Sequence, residues 1–277
     1  MAMIAFATNS LLCRAALTQT SIDAASFTFI RMFSGAVALW LIVNLRRTTG
    51  GVCDRRAGNW ISALALFLYA AAFSFAYVGV GAGTGALLLF GAVQATMILW
   101  GLHKGEHLRG VQTLGLIVAL IGLVLLLFPG LSAPPLSGSI LMIGAGVAWG
   151  IYSLRGRREK NPATVTAGNF VRTVPFAAVV SIIFIPWLHL DFAGVTYAII
   201  SGAITSGLGY VIWYSALPSL KAASAATVQL SVPVLAASGG ILLLGEPLTL
   251  RYLLASVAIL GGIALVVMEK TRAHSDL

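Results

Sequence analysis

Long apolar segments follow one another along all 277 residues of the chain, with only short polar connections between them. A helix needs roughly 20 apolar residues to cross the hydrocarbon core of a bilayer, and ten segments approach that length. They run over residues 2–18, 24–45, 58–78, 84–102, 111–128, 137–154, 164–185, 192–217, 222–244 and 248–268. The pattern predicts an all-α integral membrane protein with ten transmembrane helices. Connections of a few residues leave no room for a soluble domain.

Polar landmarks recur between the two halves of this pattern. Two arginines and a Gly-Glu pair reappear 140 or 141 positions later, in segments of similar sequence. They are Arg14, Arg31 and Gly105-Glu106 in the first half, and Arg155, Arg172 and Gly245-Glu246 in the second. Because each half holds an odd number of spans, the second half crosses the membrane in the opposite sense. We therefore predict a five-helix repeat at residues 1–130 and a second, inverted repeat at residues 136–270, an architecture typical of secondary transporters.

Composition supports the membrane class, because 59% of the residues are hydrophobic and only 9% are charged. The formal net charge of +9 would suit nucleic-acid binding or a basic surface for an acidic partner, but the loop charges are concentrated in every second loop and the C-terminal tail. These basic residues are Arg46, Arg47, Arg55, Arg56, Lys104, Arg109, Arg155, Arg157, Arg158, Lys160, Lys221, Lys270 and Arg272. The other loops carry only Arg251. This positive-inside bias predicts that both termini face the cytoplasm, and it argues against nucleic acid as a partner.

Short motifs in both halves carry a family resemblance. They are Trp149-Gly150 followed by Arg155, the segments around Arg31 and Arg172, and Gly245-Glu246-Pro247-Leu248-Thr249. Together they resemble the drug/metabolite transporter superfamily, in its EamA-type branch of ten-helix exporters, and within that branch the aromatic amino-acid exporters. The resemblance implies a multi-pass carrier of the inner membrane that exports small metabolites, often amino acids.

Two departures from the family pattern place amides near the middle of the membrane. The first half has Thr8-Asn9 where the second has Trp149-Gly150, and Val93-Gln94 where the second has Pro233-Val234. Counting at about 1.5 Å per residue puts Asn9, Gln94, Trp149 and Pro233 near the bilayer midplane. An amide there needs a partner in protein or water, because lipid offers none. Asn9 and Gln94 are therefore candidates for binding the polar end of a substrate, and a hydrogen bond between helices is the alternative.

Aromatic side chains gather in the same spans. Such rings can stack on a planar or apolar ligand and surround it with phenol hydroxyls. The candidate substrate-binding residues are Asn9, Phe73, Tyr77, Phe90, Gln94, Trp149, Tyr152, Tyr210, Tyr214 and Gln229. Packing between helices, or placement in an interfacial belt, is the alternative interpretation of the rings. Pro233 follows Gln229 in span nine and is expected to loosen backbone hydrogen bonds and allow a bend.

Four intramembrane arginines need partners, because an isolated charge in hydrocarbon is costly. Arg14 and Arg155 lie near C-terminal helix ends, where free carbonyls favour a cation. Arg31 and Arg172 lie about two turns inside the membrane surfaces, and we expect them to snorkel or to bond neighbouring backbone. Recurrence in both halves predicts a structural or gating role, which we also assign to Pro233. Attraction of a substrate carboxylate is the functional alternative for Arg31 and Arg172.

Small residues predict where helix backbones approach closely or hinge. One set is Gly146-x-x-x-Gly150, a spacing typical of close helix contacts in membranes. The other is the run Gly79, Gly81, Gly83 and Gly85, which follows span three and would suit a gate at the outer end of that span.

The positions of the acids bear on the energy source. All eight Asp and Glu residues and all four histidines fall outside the predicted spans, so the usual intramembrane proton relay of pumps is missing from the sequence. The sequence also lacks an ATP-binding Walker loop. We predict facilitated, alternating-access transport without a cofactor or metal. The predicted partners are a small-molecule substrate and the bilayer, and no oligomer is required.

Three other function classes compete with this prediction. A sugar-phosphate or nucleotide-sugar exchanger would need several basic groups in its cavity, and only Arg31 and Arg172 could contribute. An intramembrane enzyme is suggested by the H-x-x-E-H zinc pattern of His103 to His107, but a cytoplasmic turn with an internal glycine does not supply the ligand geometry. A scaffold or sensor would leave the inverted duplication unused. We therefore predict a transporter of amino acids, including aromatic ones, and not an enzyme.

Overall fold

The computed structural model describes residues 1–48, 57–105, 110–128, 133–156, 159, 161–216 and 228–275. Within these residues the regular structure is helical and no strand occurs, which confirms the all-α class. The helices are α1 (Ala2–Gln19), α2 (Ala24–Thr48), α3 (Trp60–Tyr77), α4 (Ala82–His103), α5 (Gly110–Leu127), α6 (Leu136–Gly156), α7 (Pro162–Ile183), α8 (Phe192–Ala216), α9 (Ser231–Leu244) and α10 (Leu250–Ser275).

Seven of the described helices, α2 to α8, are long and apolar enough to cross a membrane. Helix α9 and the Leu250–Val266 part of α10 are apolar but shorter. Each of the predicted spans overlaps one helix of the structure. The chain is a multi-pass membrane protein, as its sequence predicts. The full count of ten crossings, and the side on which the termini lie, stay predictions.

Local sequence explains where several helices begin and end. Asn59 precedes α3, and its side-chain oxygen accepts a hydrogen bond from the Ser62 amide (2.8 Å). Asp191 caps α8 in the same way through the Gly194 amide (3.2 Å). Each cap satisfies one of the amides that the first turn of a helix leaves unpaired. At the end of α9, Gly245 has φ +66°, the left-handed conformation that glycine adopts without steric cost.

Helices from the two halves pack against each other. Helix α2 packs on α7, α4 on α9 and α5 on α10, while α6 packs on α3 and α4, and α1 packs on α8 and α9. A Cβ atom added at Gly146 or Gly150 of α6 would collide with α4. This confirms the close approach that the spacing of these two glycines predicts. Gly115 of α5 and Gly262 of α10 each face the backbone carbonyl of the other, which brings that pair of helices close together.

Large aromatic and polar side chains are buried among alanine and leucine inside the bundle, whereas its outer surface is mainly aliphatic. Arg31, Tyr77 and Tyr210 are among the largest fully buried side chains. Leucine, isoleucine and valine side chains make up most of the exposed large hydrophobic residues, and Leu242 is 80% exposed. An apolar surface of this extent marks contact with a nonpolar medium. Lipid therefore surrounds the bundle, and polar chemistry is confined to its interior.

Pro233 lies close to an interruption in the helical structure of span nine. Helix α9 begins at Ser231, which places Pro233 in the first turn of the helix. Proline is accommodated there because the amides of the first turn have no partner within the helix. The backbone is helical at Val228 and Gln229 and turns at Leu230, so span nine is interrupted three residues before Pro233. A bend caused by Pro233 stays a prediction.

Several predictions fall on parts of the chain outside the described residues. These are Glu106 and His107 of the predicted turn, the basic residues Arg55, Arg56, Arg109, Arg157, Arg158, Lys160 and Lys221, and the beginning of span nine. For Arg46, Arg47, Lys270 and Arg272 the helix is described but the side chain is not.

Candidate functional site

Five helices converge on a small chamber inside the bundle. The side chains that line it come from α1, α3, α4, α6 and α8 and are Phe6, Asn9, Ser10, Tyr69, Phe73, Leu89, Phe90, Trp149 and Tyr210. The predicted binding residues among them are Asn9, Phe73, Phe90, Trp149 and Tyr210. The chamber has a volume of about 10 Å³, close to what one water molecule requires. Ligand pockets commonly measure roughly 300–1,000 Å³, so these helices must separate before a metabolite can bind.

Trp149 lies at the centre of the aromatic wall of the chamber. Its ring centroid is 4.9 Å from that of Tyr69, 4.8 Å from Tyr210, 5.6 Å from Tyr152 and 6.0 Å from Phe6. The rings are tilted or edge-on to one another, an arrangement that the aromatic quadrupole favours. Trp149 therefore contacts rings from α1, α3 and α8. A planar ligand that enters between these helices would replace contacts between rings by contacts with the ligand.

Asn9 connects α1 with α3 and α8 through hydrogen bonds. Its side-chain oxygen accepts from the hydroxyls of Ser201 (2.7 Å) and Thr205 (3.1 Å), and its Nδ2 donates to the Tyr69 hydroxyl (3.5 Å). Ser201 and Thr205 belong to a π-helical stretch, Ser201–Leu208, within α8. Such stretches are frequent at functional sites. Hydrogen bonding between helices, the alternative interpretation of Asn9, is thus present in this conformation, and Asn9 also lines the chamber.

Arg31 is fully buried next to the Tyr69 wall of the chamber. Its Nη2 donates to the Tyr69 hydroxyl (3.1 Å), and its Nε donates to the Ser206 hydroxyl (3.2 Å). The guanidinium carbon lies 5.3 Å from the Tyr69 ring centroid and 4.9 Å from that of Phe73, within cation–π range. The prediction that Arg31 snorkels or bonds backbone is therefore wrong. Hydroxyls and ring faces of α3 and α8 surround the charge instead.

Tyr152 and Tyr214 lie in a second small space, the cleft, at the end of the bundle that contains Arg155. The cleft has a volume of about 10 Å³ and is also lined by Asn169. Asn169 donates a hydrogen bond from Nδ2 to the Tyr152 hydroxyl (3.4 Å). Because the Tyr152 ring also contacts Trp149, the cleft and the chamber adjoin each other.

Three predicted binding residues lie away from both spaces. Tyr77, Gln94 and Gln229 are buried, but none of them lines the chamber or the cleft. Tyr77 donates its hydroxyl to the Ala82 carbonyl (3.3 Å) and packs edge-on against Phe73. In this conformation, Tyr77 therefore has a packing role, the alternative interpretation of the rings.

A larger cavity of about 400 Å³, the vestibule, lies at the opposite end of the bundle. Arg14 and Glu246 form an ion pair on its wall, with 3.1 Å between Nε and Oε1. Arg14 Nη1 also donates to the carbonyls of Tyr77 (2.8 Å) and Val78 (3.0 Å). Glu246 accepts from the Ala82 amide at the start of α4 (2.8 Å to Oε2). Carbonyls at a helix end do bind Arg14, as predicted, but that helix is α3. The pair joins α1, the α3–α4 turn and the α9–α10 turn.

The two repeat-related arginines of the second half contact the other end of α3. Arg155 Nε donates to the Ser62 hydroxyl (2.9 Å), and its Nη2 donates to the side-chain oxygen of Asn59 (3.2 Å). Arg172 Nη1 donates to the carbonyl of Ala57 (2.8 Å). The predicted bond from Arg172 to neighbouring backbone is thereby confirmed.

Sequence reasoning missed several residues of these spaces. Phe6 and Ser10 line the chamber beside Asn9. Phe6 precedes Asn9 by three residues and Ser10 by four, and this spacing on one helix face is a signal that could have identified them. Glu246 and Ser206 are different, because they are 232 and 175 positions away from their arginine partners. No local sequence pattern indicates contacts over such separations.

Comparison with known proteins identifies the family. The sequence profile of the EamA-like transporter family matches residues 136–268. An uncharacterized protein of Pseudomonas aeruginosa is 58% identical over 270 residues, which are 98% of this chain and 93% of that protein. The chain belongs to the EamA-like transporter family. This confirms the resemblance to the drug/metabolite transporter superfamily, and in a bacterium such an EamA-like transporter resides in the inner membrane.

Other relatives of this EamA-like transporter carry transporter names. The threonine/homoserine exporter RhtA of Escherichia coli is 33% identical over 162 residues, which are 55% of this chain and 53% of the exporter, so the match spans about half of each protein. The uncharacterized transporter YoaV of Bacillus subtilis is 24% identical over 86% of this chain and 85% of that protein. A crystal structure that is 19% identical in sequence superposes with a TM-score of 0.68 over 98% of this chain and 99% of that one. That likeness shows a shared fold.

Proposed function

We propose that this EamA-like transporter exports small amphipathic metabolites, above all amino acids including aromatic ones, by alternating access. The chamber carries the proposal, because rings from several helices and the amide of Asn9 surround a closed space between the vestibule and the cleft. A carrier needs such a space, open to one end at a time, for its cargo. Similarity to a threonine/homoserine exporter supports amino acids as the cargo class.

Helix packing supports an inverted repeat of residues 1–130 and 136–270. If α1–α5 correspond to α6–α10, then the pairs α2–α7, α4–α9 and α5–α10 each join a helix with its own counterpart. Other major contacts also correspond between the halves, since α6 packs on α3 and α4 while α1 packs on α8 and α9. Two repeats related by a two-fold axis would produce this pattern. Exchange of conformation between the repeats would then convert a state open at one end into a state open at the other.

The loop charges support one orientation in the membrane. Lys104 and Arg155 lie at the cleft end of the bundle, since α4 and α6 both start at the vestibule end. The basic residues of the predicted cytoplasmic loops follow the same helix ends. By the positive-inside rule, the cleft faces the cytoplasm and the vestibule faces outward. Both termini then lie in the cytoplasm.

We infer that transport is facilitated and needs no coupled proton. The polar groups that line the described chamber are the Asn9 amide and the hydroxyls of Ser10, Tyr69 and Tyr210. These groups are an amide and hydroxyls, whereas the relays of proton-coupled carriers use Asp, Glu or His. The concentration gradient of the cargo is therefore the proposed driving force.

Uptake by purified protein in proteoliposomes tests the proposal. Labelled phenylalanine, tryptophan, threonine and a sugar phosphate are supplied separately, with and without an imposed pH gradient. We expect saturable amino-acid uptake that Trp149→Ala reduces about tenfold, because the variant loses several ring contacts. Trp100→Ala, which removes a ring that is 49% exposed on the outer surface, is the matched control.

Other outcomes of the uptake assay would contradict particular parts of the proposed function. Accumulation of an amino acid driven by the pH gradient alone would refute facilitated transport. Uptake of the sugar phosphate without any amino acid would assign the alternative cargo class. Equal loss of uptake in Trp100→Ala and Trp149→Ala would contradict the placement of the site at the chamber.

A further inference from the structure

We propose that Arg31 binds the carboxylate of the transported molecule, with the hydroxyls of Ser10, Tyr69 and Tyr210 as the hydrogen-bond donors that line the chamber. This rests on the proposed function, because it identifies which end of the cargo enters which part of the site. The ligand class is a monocarboxylate with an apolar or aromatic remainder.

The charge of Arg31 has no acid beside it among the contacts that the described residues make. The guanidinium stays protonated in proteins, and Arg31 has no solvent exposure. Its hydrogen bonds end on the neutral hydroxyls of Tyr69 and Ser206, and its ring contacts are with Tyr69 and Phe73. Burial of a charge without a counter-charge is strongly unfavourable. An anionic ligand would supply that counter-charge when it binds.

Three buried donors at or near the chamber lack a hydrogen bond of ordinary geometry within the described structure. Arg31 Nη1 and the hydroxyls of Ser10 and Tyr210 make no hydrogen bond of ordinary geometry, and these residues are at most 1% exposed. The Ser10 hydroxyl lies near that of Tyr77, and the Tyr210 hydroxyl lies near that of Tyr69. Buried donors without a partner are rare in native proteins and call for an explanation. Ser10 and Tyr210 line the chamber directly. A carboxylate has about four acceptor positions on its two oxygens, which suits this group of donors.

Tyr69 connects the guanidinium to the chamber. Its hydroxyl oxygen accepts from Arg31 Nη2 (3.1 Å) and from Asn9 Nδ2 (3.5 Å), so its own proton is available to a third group. Tyr69 lines the chamber, and its hydroxyl lies near that of Tyr210. A carboxylate at this position would accept hydrogen bonds from both phenols. It would also be stabilised by the positive field of Arg31, which is strong in a buried, low-dielectric environment.

The rest of the chamber wall suits an apolar group. Phe6, Phe90 and Trp149 line it with rings, and Phe6 is edge-on to Trp149. One fixed positive charge matches one carboxylate better than the two charges of a phosphate ester, which separates this ligand class from sugar phosphates. An aromatic amino acid would therefore bind with its carboxylate toward α2 and α3 and its side chain toward α6.

Ligand discrimination tests this inference independently of transport. The melting temperature of the purified protein is measured with increasing phenylalanine, 3-phenylpropanoate or phenylalaninol, the last of which keeps the ring and the ammonium group but has no carboxylate. We expect both carboxylates to stabilise the protein with an apparent Kd about tenfold or more below that of phenylalaninol. Equal stabilisation by phenylalaninol, or no stabilisation by either carboxylate, would overturn the inference.

Substitutions test whether the proposed side chains are responsible for the preference for carboxylates. Tyr210→Phe and Arg31→Gln should each reduce the preference for the acid over the alcohol about tenfold, and Arg31→Lys should retain part of it. Arg172→Gln is the matched control, because the repeat-related Arg172 bonds to backbone; this variant should keep the preference. A preference that survives in folded Arg31→Gln contradicts the proposal. If Arg31→Gln does not fold, the test rests on the preference of the wild-type protein for the carboxylates over phenylalaninol and on the loss of that preference in Tyr210→Phe.

Failure of this inference and failure of the proposed function give different results. Stabilisation by carboxylates without uptake in proteoliposomes would remove the exporter function and leave the carboxylate site. Equal uptake of phenylalanine and phenylalaninol would leave the exporter function and remove the carboxylate site.

Discussion

The Arg14–Glu246 ion pair is expected to hold the vestibule end of the transporter closed. It joins α1 to the α3–α4 turn and to the α9–α10 turn, and these segments must separate if the chamber is to open toward the vestibule. Glu246→Gln keeps the size of the side chain and an oxygen for the Ala82 amide, but it removes the charge. We therefore expect this variant to favour the conformation in which the vestibule and the chamber connect.

The geometry of the pair sets the size of the effect. Arg14 Nε lies 3.1 Å from Glu246 Oε1, and the two side chains are 19% and 18% exposed, so the pair is neither at the surface nor fully buried. Hydrogen bonds to charged groups contribute about 1.5–3 kcal/mol, whereas exposed ion pairs contribute about 0.2–1 kcal/mol. Solvent screening places this pair between them, at about 1–2 kcal/mol, so the ratio of open to closed protein should rise roughly 5- to 30-fold.

Cys13 provides a reporter of this opening. It lies next to Arg14 on α1 and is fully buried. In a Cys53→Ser background, Cys13 is the sole remaining cysteine. A membrane-impermeant maleimide should label Cys13 roughly 5- to 30-fold faster in Glu246→Gln than in the parent, provided that opening and closing are faster than labelling.

Matched variants separate gating from general loosening. Glu159→Gln makes the same chemical change in an exposed acid near the cleft and should leave the labelling rate unchanged. Arg14→Gln should raise the rate at least as much as Glu246→Gln does, because it also removes the bonds to the Tyr77 and Val78 carbonyls. Adding Glu246→Gln to Arg14→Gln should have little further effect, because the ion pair is already lost. An unchanged labelling rate in Glu246→Gln, with Cys13 labelled normally after denaturation, would refute the gating role of the pair.

Three further changes test the chamber and the packing. Trp149→Phe should retain most of the initial uptake rate that Trp149→Ala loses, because a ring stays against its aromatic neighbours; equal rates for the two variants would contradict this. Gly115→Leu should lower the melting temperature in detergent, since the new side chain would meet the backbone of Gly262 and overpacking costs about 1–3 kcal/mol. Arg172→Gln should reduce the free energy of unfolding by about 1 kcal/mol through loss of its bond to the Ala57 carbonyl, as denaturant titration would show, and Arg172→Lys should lose less.

Helix positions are predictable here because hydrocarbon imposes a simple requirement on sequence. A crossing segment must be apolar for roughly 20 residues, and polar connections interrupt that pattern. Span three, predicted at residues 58–78, became α3 at Trp60–Tyr77. The difference at its start has a local cause, since Asn59 remains extended in order to cap the helix through the Ser62 amide. A hydropathy profile does not detect a capping residue of this kind.

Depth in the membrane predicts only part of the candidate site. Counting residues along the spans places Asn9, Gln94 and Trp149 near the midplane, but it does not fix the rotation of a helix about its axis. Asn9 and Trp149 line the chamber, whereas Gln94 is buried elsewhere in the bundle. Which side faces the chamber depends on which helices meet closely, as α6 does with α4 at Gly146. Those contacts join distant parts of the chain, and a single sequence does not specify them.

The four repeated arginines all contact one helix or the segment just before it. Arg14 bonds the C-terminal end of α3, Arg155 bonds its N-terminal cap, Arg172 bonds the backbone that precedes it, and Arg31 bonds its middle. Under the proposed inverted repeat, α8 is the counterpart of α3 and should be an equivalent partner. Under that proposal, two similar repeats would supply no reason to prefer α3, and the preference would be a property of this conformation. If the two repeats exchanged conformations, the arginines would transfer contacts from α3 to α8. The π-helical stretch of α8 already provides one such contact, from Ser206 to Arg31. Because one set of arginines cannot hold both helices in the same way at once, opening at one end would be coupled to closure at the other.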